Sequence, residues 1–87
     1  MIFVGELSNL PNIGKVSEAQ LNEIGITTIE ELEEIGSHEA WLAIRKNDPT
    51  ACYSKLCAIE GAIQRIRWHD LSDNDKKSLK EFYSSHR

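Results

Sequence analysis

Apolar residues recur at helical spacing along almost the whole chain, and Gly, Pro and an Asn-Asp-Pro break separate the periodic segments. The first predicted helix covers residues 6–10 and ends before Pro11, because the residue before a proline disfavours helical angles. The second covers residues 15–24 and ends at Gly25, a position typical of a left-handed helix ending. It is expected to turn four apolar side chains toward a core: Val16, Ala19, Leu21 and Ile24.

The next two predicted helices are separated by Gly36. Thr28 and Glu31 have the spacing of a capping box, so a third helix begins after Thr28 and ends at Gly36. Ser37 is then placed to cap a fourth helix over residues 38–46, which the Asn-Asp-Pro break ends. These two helices are expected to turn six apolar side chains inward: Ile29, Leu32, Ile35, Trp41, Leu42 and Ile44.

The longest predicted helix covers residues 51–67 and has two faces that can pack. One face is an apolar stripe: Cys52, Leu56, Ile59, Ile63 and Ile66. The other carries small residues that allow close approach of another segment: Ser54, Cys57, Ala58 and Gly61. Trp68 follows and is interpreted as a buried anchor, with an exposed interface residue as the alternative. Ser72 and Asp75 predict a last helix to about Ser84. That helix turns three side chains inward: Leu79, Phe82 and Tyr83.

Together these segments predict an all-α fold, a compact bundle of five to six short helices in a single domain over residues 1–87. No linker or low-complexity stretch divides the chain. The stretch Met1–Val4 is expected to be extended, without an evident strand partner.

Three Ile-Gly pairs follow one another 11 residues apart, but they do not form a repeat. Gly25 and Gly36 end helices, whereas Gly14 precedes one. The segment Leu10–Lys15 resembles the turn of a helix-hairpin-helix motif, where backbone N–H groups bind a DNA phosphate. Asn12 replaces the motif's first glycine. It tolerates the left-handed backbone of the turn, and its side chain is expected to crowd a phosphate. The turn either only packs two helices or binds a phosphate through four residues: Asn12, Ile13, Gly14 and Lys15.

Charge is distributed unevenly. The first 45 residues hold eight acidic and two basic residues, and the remainder hold six acidic and eight basic ones. The formal net charge of −4 makes nucleic acid a poor default partner, because phosphate neutralisation dominates such affinity. One basic cluster is a solvated face or a support for DNA binding: Arg65, Arg67, His69, Lys76, Lys77 and Lys80. The third helix carries an acidic cluster that is expected to be a solvated surface: Glu30, Glu31, Glu33 and Glu34. The alternative is a patch for a basic partner, formed by Glu30, Glu31 and Glu34.

The sequence shows no set of residues typical of catalysis or metal binding. His38, His69 and His86 lack a His or Cys partner three or four residues away. Cys52 and Cys57 diverge by about 140° around a helix, too far to bridge each other, so both are expected to be reduced and mostly packed thiols. Cys52 lies on the apolar stripe and is expected in the core, and Cys57 lies on the small-residue face and is expected to be partly accessible. We therefore expect no enzyme activity, no metal and no cofactor. The short apolar start indicates neither a signal peptide nor a membrane span, so we expect a cytoplasmic protein with no membrane partner.

Several separated motifs resemble one family. The hairpin, then "TTIEELEEIG", "AIEGAIQRI" and "RWHDL", arrive in the order found in the C-terminal domain of TfoX/Sxy proteins, bacterial regulators of competence for DNA uptake. The resemblance runs from about residue 7 to residue 83. It implies a SAM/HhH-like helical fold with a helix-hairpin-helix-like unit, a place in competence regulation, and no catalytic residues.

Full-length members of that family carry an N-terminal TfoX domain, for which these 87 residues leave no room. The leading hypothesis is therefore a non-catalytic interaction module. Its expected partner is a protein, either a transcription factor or a separately encoded TfoX N-terminal-like domain. The alternative is sequence-independent binding of the DNA backbone through the turn.

Overall fold

The computed structural model describes residues 7–86 and confirms the all-α fold class. Within this range the chain forms four α-helices and two short 3₁₀ turns, with no strand. The helices are α1 (Lys15–Glu23), α2 (Ile29–Asn47), α3 (Tyr53–Gln64) and α4 (Asp73–His86), and the 3₁₀ turns are Leu7–Asn9 and Trp68–Asp70. The extended stretch predicted for Met1–Val4 lies outside the described residues.

Helix α1 ends in the Schellman arrangement that the sequence predicts. Gly25 has a φ of +93°, in the left-handed region that favours glycine. Its N–H donates to the carbonyl of Asn22 at 3.0 Å, and the N–H of Ile26 donates to the carbonyl of Leu21 at 2.9 Å. This ending satisfies two carbonyl groups of the last turn and directs the chain into the buried residue Ile26.

Helix α2 contains the two helices predicted on either side of Gly36, joined across a kink at that residue. It begins with the predicted capping box, in which Thr28 Oγ1 accepts from the Glu31 N–H at 3.1 Å and Glu31 Oε1 accepts from the Thr28 N–H at 3.2 Å. Gly36 has the non-helical angles φ +83° and ψ 163°, so it separates two helical halves of α2 at the position that the sequence predicts. With this kinked element counted as one helix, the described residues hold four α-helices, fewer than expected. Ser37 is buried, and its hydroxyl donates to Glu60 Oε1 at 2.6 Å.

Helix α3 ends three residues earlier than predicted. Arg65 adopts a left-handed φ of +66°, and the N–H groups of Arg65 and Ile66 bond to the carbonyls of Ala62 and Gly61. A residue other than glycine in this conformation costs energy, so the apolar pattern alone gives no signal for such an ending. The Arg65 guanidinium pairs with Glu33 at 3.0 Å, but both side chains are exposed, so the pair contributes little stability.

Helices α2 and α3 form the largest interface of the fold, and the second 3₁₀ turn and α4 pack on α3. The largest fully buried side chains of the core are Trp41, Leu7, Leu21, Leu32, Ile44, Leu56, Ile59 and Cys57. Helix α4 is held by aromatic contacts, because Phe82 and Tyr83 meet the edge of Trp41 at centroid distances of 6.0 and 5.5 Å. The His38 ring stacks on Phe82 at 4.1 Å.

Five burial predictions were wrong. Val16 and Ala19 are exposed rather than buried, and Ile35 is 38% exposed. Cys52 is exposed and Cys57 is fully buried, the reverse of the expectation. Cys52 is exposed because α3 begins after it: Cys52 is the N-cap residue and takes no part in the apolar stripe. Cys57 lies inside α3, which packs on α2, on α4 and on the second 3₁₀ turn.

Candidate interaction site at the start of helix α1

The turn before α1 buries its apolar side chain and exposes the residues that follow. Ile13 is 5% exposed and belongs to the core, whereas Gly14, Lys15 and Val16 are exposed. Gly14 is the N-cap residue of α1, with extended backbone angles and no side-chain capping bond. The start of α1 therefore faces solvent, and no side chain at position 14 caps the backbone N–H groups of its first turn.

The side chain of Asn12 links this turn by hydrogen bonds to α3 and to the segment that follows it. Its φ of +71° is the left-handed angle that the turn requires. Its Nδ2 group donates to the carbonyl of Ile66 at 3.0 Å and to that of Ala58 at 3.4 Å, and its Oδ1 accepts from the Trp68 N–H at 3.2 Å. The side chain thus points into the molecule. The expectation that Asn12 crowds the outer surface of the turn is wrong, because its amide is used up by these three internal bonds.

Gly61 is the residue that lets Asn12 reach these partners. A β-carbon at position 61 would lie 2.6 Å from Asn12 Nδ2, 2.9 Å from the Ile66 carbonyl oxygen and 3.1 Å from Trp68 Cα. The face of small residues predicted on this helix is therefore used at Gly61 for contact with the turn and with the 3₁₀ segment. The contacts of the turn and of the 3₁₀ segment with Gly61 help to hold the start of α1 in place.

Glu18 ties α1 to the first 3₁₀ turn. Its Oε2 accepts from the Leu7 N–H at 3.2 Å. A carboxylate in the first turn of a helix is stabilised by the helix dipole. The same carboxylate repels a second anion, so it works against phosphate binding at the start of α1.

The three lysines predicted to support nucleic-acid binding lie on α4. Lys76 donates its Nζ to the carbonyl of His69 at 3.1 Å, which links it to the second 3₁₀ turn. Lys77 and Lys80 are exposed. Lys76 therefore anchors the turn next to the Trp68 backbone that Asn12 holds, while the other two lysines are surface charges.

Trp68 is half-buried and packs against the core. Its exposure is intermediate between the two interpretations from the sequence, a buried anchor and an exposed interface residue. Its ring stacks on the exposed imidazole of His69 with centroids 4.0 Å apart. This stacking orients the imidazole of His69.

The titratable groups near the core are suited to packing rather than chemistry. Burial raises the pKa of the Cys57 thiol, which disfavours the reactive thiolate. Burial likewise raises the pKa of Tyr53 to about 12, and its hydroxyl donates to the Lys76 carbonyl. Within residues 7–86 no group of three or more His, Cys, Asp or Glu side chains could hold a metal ion. None of the described helices has the length and apolar character needed to cross a membrane.

Sequence reasoning missed the exposed apolar pair on α1. Val16 is 71% exposed, and Ala19 lies next to it one turn along the helix. A signal was present: at about 100° per residue, Ala19 and the buried Leu21 lie about 160° apart around the axis. The four residues predicted inward could not all face one core, and packing on α2 selected the side that carries Leu21 and Ile24.

Comparison with known families supplies the identity of the domain. The family model of the TfoX C-terminal domain matches residues 4–83. The chain belongs to the TfoX C-terminal domain family. The match spans the turn, all of α1 to α3 and most of α4, so the described elements are those of a TfoX C-terminal domain.

Two crystal structures from Listeria monocytogenes have the same fold. One, described as an uncharacterized protein in a triclinic form, is 53% identical, with a TM-score of 0.89 over 91% of this chain and 90% of that one. The other, a protein of unknown function in a tetragonal form, is 52% identical, with a TM-score of 0.90 over 93% of this chain and 99% of that one. No curated protein matches the chain significantly.

Proposed function

We propose that this TfoX C-terminal domain is a non-catalytic interaction module that binds a protein partner through the start of α1. The observation that carries the proposal is the 71% exposure of Val16 beside the exposed Ala19. Both lie on a helix whose entry is fixed by Asn12 and whose exit is fixed by Gly25. An uncovered apolar pair on a rigid support loses little entropy on association.

The partner of this surface is a cytoplasmic protein, either a transcription factor or a separately encoded TfoX N-terminal-like domain. Family membership supports this choice, because the TfoX C-terminal domain model matches residues 4–83 and full-length members, as described above, carry an N-terminal TfoX domain. Lys15 at the edge of the apolar pair favours a partner with a carboxylate beside its own apolar patch. The process served is then regulation of competence genes.

A matched pair of charge substitutions tests the proposal. Val16→Asp introduces a carboxylate into the proposed contact, and Ser54→Asp introduces the same charge at an exposed position of α3. Binding to candidate TfoX N-terminal domains and transcription factors from the same genome is measured by isothermal titration calorimetry. We expect Val16→Asp to weaken binding about tenfold or more, and Ser54→Asp to leave it unchanged. Equal effects of the two variants, or no saturable binding by the parent chain, would refute the proposal.

Sequence-independent DNA-backbone binding is the second candidate, favoured by the inward orientation of Asn12. With that side chain withdrawn, the exposed backbone of Gly14 and Lys15 is not obstructed from position 12, whereas the Ile13 N–H donates to the Leu10 carbonyl at 3.3 Å. Lys15 supplies a positive charge, and the exposed Lys77 and Lys80 of α4 are available as further support, whereas Lys76 is bonded to the His69 carbonyl.

Fluorescence anisotropy with duplex, single-stranded and branched DNA at low salt tests this second function. Binding should fall steeply as salt rises, and Lys15→Glu should weaken it while Val16→Ser does not. The two functions are therefore distinguished by their variants: DNA binding depends on Lys15, whereas protein binding depends on Val16. Absence of DNA binding at low salt would refute the DNA-binding function.

A further inference from the structure

A shallow groove lies where the bend in α2 meets α3 and α4, away from the start of α1. Its two halves share the side chains of His38 and Glu60. One half adds Ile35, Gly36 and Ser37 at the bend, and the other adds Asp75, Ser78 and Leu79 from α4. Three helices therefore contribute to one continuous surface.

The groove holds two carboxylates that share a single donor. Gln64 Nε2 donates to Glu60 Oε2 at 2.6 Å and to Asp75 Oδ2 at 3.0 Å, which brings the two negative groups together. The other Glu60 oxygen accepts the hydroxyl of the buried Ser37 at 2.6 Å, so the position of Glu60 is fixed by two helices. Each ionised carboxylate has room for further donors, because its two oxygens accept about four bonds.

The groove is lined by two carboxylates and no side chain of opposite charge, and its rim is apolar at one end. None of its eight lining residues is a Lys or Arg. Ile35, one of the two large apolar side chains that residues 7–86 expose, forms the apolar end with 38% exposure. A cation beside two carboxylates is favoured electrostatically, and an apolar group beside Ile35 is favoured by burial.

We propose that this groove binds a segment of a partner protein that places an arginine side chain against Glu60 and Asp75 and an apolar side chain on Ile35. The planar guanidinium presents five donors, enough to contact both carboxylates, and it is less strongly hydrated than an ammonium group. The groove is chemically distinct from the apolar surface around Val16, so the inference stands apart from the proposed function. A domain with both surfaces can hold two segments of one partner, or two partners.

The test uses the whole chain labelled with ¹⁵N and two short peptides, acetyl-Leu-Arg-Leu-amide and acetyl-Leu-Gln-Leu-amide, titrated by NMR at pH 7.5. The arginine peptide should shift the amides of residues 35–38, 60 and 75 in a saturable manner. The glutamine peptide should bind about tenfold more weakly or not at all. No natural partner is needed, so failure of the Val16 experiment does not affect the result.

Three variants locate the contact. Asp75→Asn and Ile35→Ser should each weaken binding of the arginine peptide several-fold, and Asp75→Asn should also abolish the preference for arginine over glutamine. Glu30→Gln removes the same charge from an exposed position on α2 outside the groove and should change nothing. Circular dichroism confirms that each variant is folded. Shifts spread over all acidic residues, or unchanged affinity in Asp75→Asn, would overturn the proposal.

Discussion

The side-chain amide of Asn12 packs directly against the Cα of Gly61: a β-carbon at position 61 would lie only 2.6 Å from Asn12 Nδ2. The two residues are far apart in sequence, on a turn and on a central helix, and the space at position 61 is what admits the Asn12 amide. Asn12 bonds to the backbone on either side of the left-handed Arg65, and Gly61 leaves the space for it to do so. This contact fixes the start of α1, where the proposed partner surface lies.

Gly61→Ala should destabilise the domain by about 1–2 kcal/mol. Alanine raises helix propensity by up to about 1 kcal/mol, but overpacking against Asn12 and the Ile66 carbonyl costs about 1–3 kcal/mol. Urea unfolding followed by circular dichroism measures the net change. In an Asn12→Ala background the penalty should shrink, because one of the two clashing groups is absent. A stabilised Gly61→Ala variant would contradict the contact.

Asn12→Ala and Asn12→Gly should both be destabilised, by different amounts. Both variants lose the bonds to Ala58, Ile66 and Trp68, for a loss of about 2–3 kcal/mol. Alanine additionally suffers at a φ of +71°, whereas glycine adopts that angle freely, so Asn12→Gly should be about 1 kcal/mol more stable than Asn12→Ala. Chemical unfolding gives the difference directly. Equal stability of the two variants would show that the left-handed angle is not retained.

The three Ile-Gly pairs should respond differently to alanine. Gly25→Ala and Gly36→Ala should each cost about 1–3 kcal/mol, because their φ values of +93° and +83° strain any side chain. Gly14→Ala should cost less than about 1 kcal/mol, since its φ is −99° and no atom lies within 4 Å of the new β-carbon. Thermal unfolding of the three variants checks the order. A Gly14→Ala variant as unstable as the others would refute it.

Acid should weaken the start of α2 through Glu31. Hydrogen bonds from the Thr27 backbone and hydroxyl, and then from Thr28, hold the pKa of Glu31 below its ordinary value of 4.5. A carboxylate with a lowered folded-state pKa contributes stability above its unfolded pKa. That stability is lost as pH falls through the folded value, so the loss begins below about pH 5. Glu31→Gln keeps an acceptor for the capping box but cannot titrate.

The denaturation midpoint of Glu31→Gln between pH 6 and pH 3 should therefore fall less steeply than that of the parent chain. Hydrogen bonds from Thr50 and Gln20 likewise hold the pKa of Asp48 low, so part of the slope remains in this variant. Glu30→Gln, an exposed change in the same first turn, is the matched control and should keep the parent slope. Identical slopes for all three proteins would contradict the role of Glu31.

The two thiols should react at very different rates. Cys52 is exposed and should react promptly with Ellman's reagent, whereas Cys57 is fully buried and its pKa is raised by that burial. One thiol per chain should therefore react quickly and the second only as the domain unfolds. Cys52→Ser should remove the fast phase. A fast phase that survives in Cys52→Ser would place Cys57 at the surface.

Much of the fold follows from local rules that the sequence carries. The capping box of Thr28 and Glu31 and the left-handed Gly25 depend on residues within one helical turn, so their spacing was sufficient to predict them. The end of α3 was not predictable in this way, because Arg65 is a poor residue for its left-handed angle. Packing of the following Ile66 and Trp68 on the core stabilises that ending, and such packing is not visible in a local pattern.

For the site, the sequence by itself determined the turn, its left-handed position at Asn12 and the two roles of glycine, at the start of α1 for Gly14 and at helix ends for Gly25 and Gly36. Only the tertiary structure decided where the Asn12 side chain points and which side of α1 is covered. The physical reason is the range of the interactions. Backbone angles and caps are fixed by neighbours in sequence, whereas the direction of a polar side chain and the burial of Leu21 over Val16 depend on carbonyls and apolar surface contributed by distant segments.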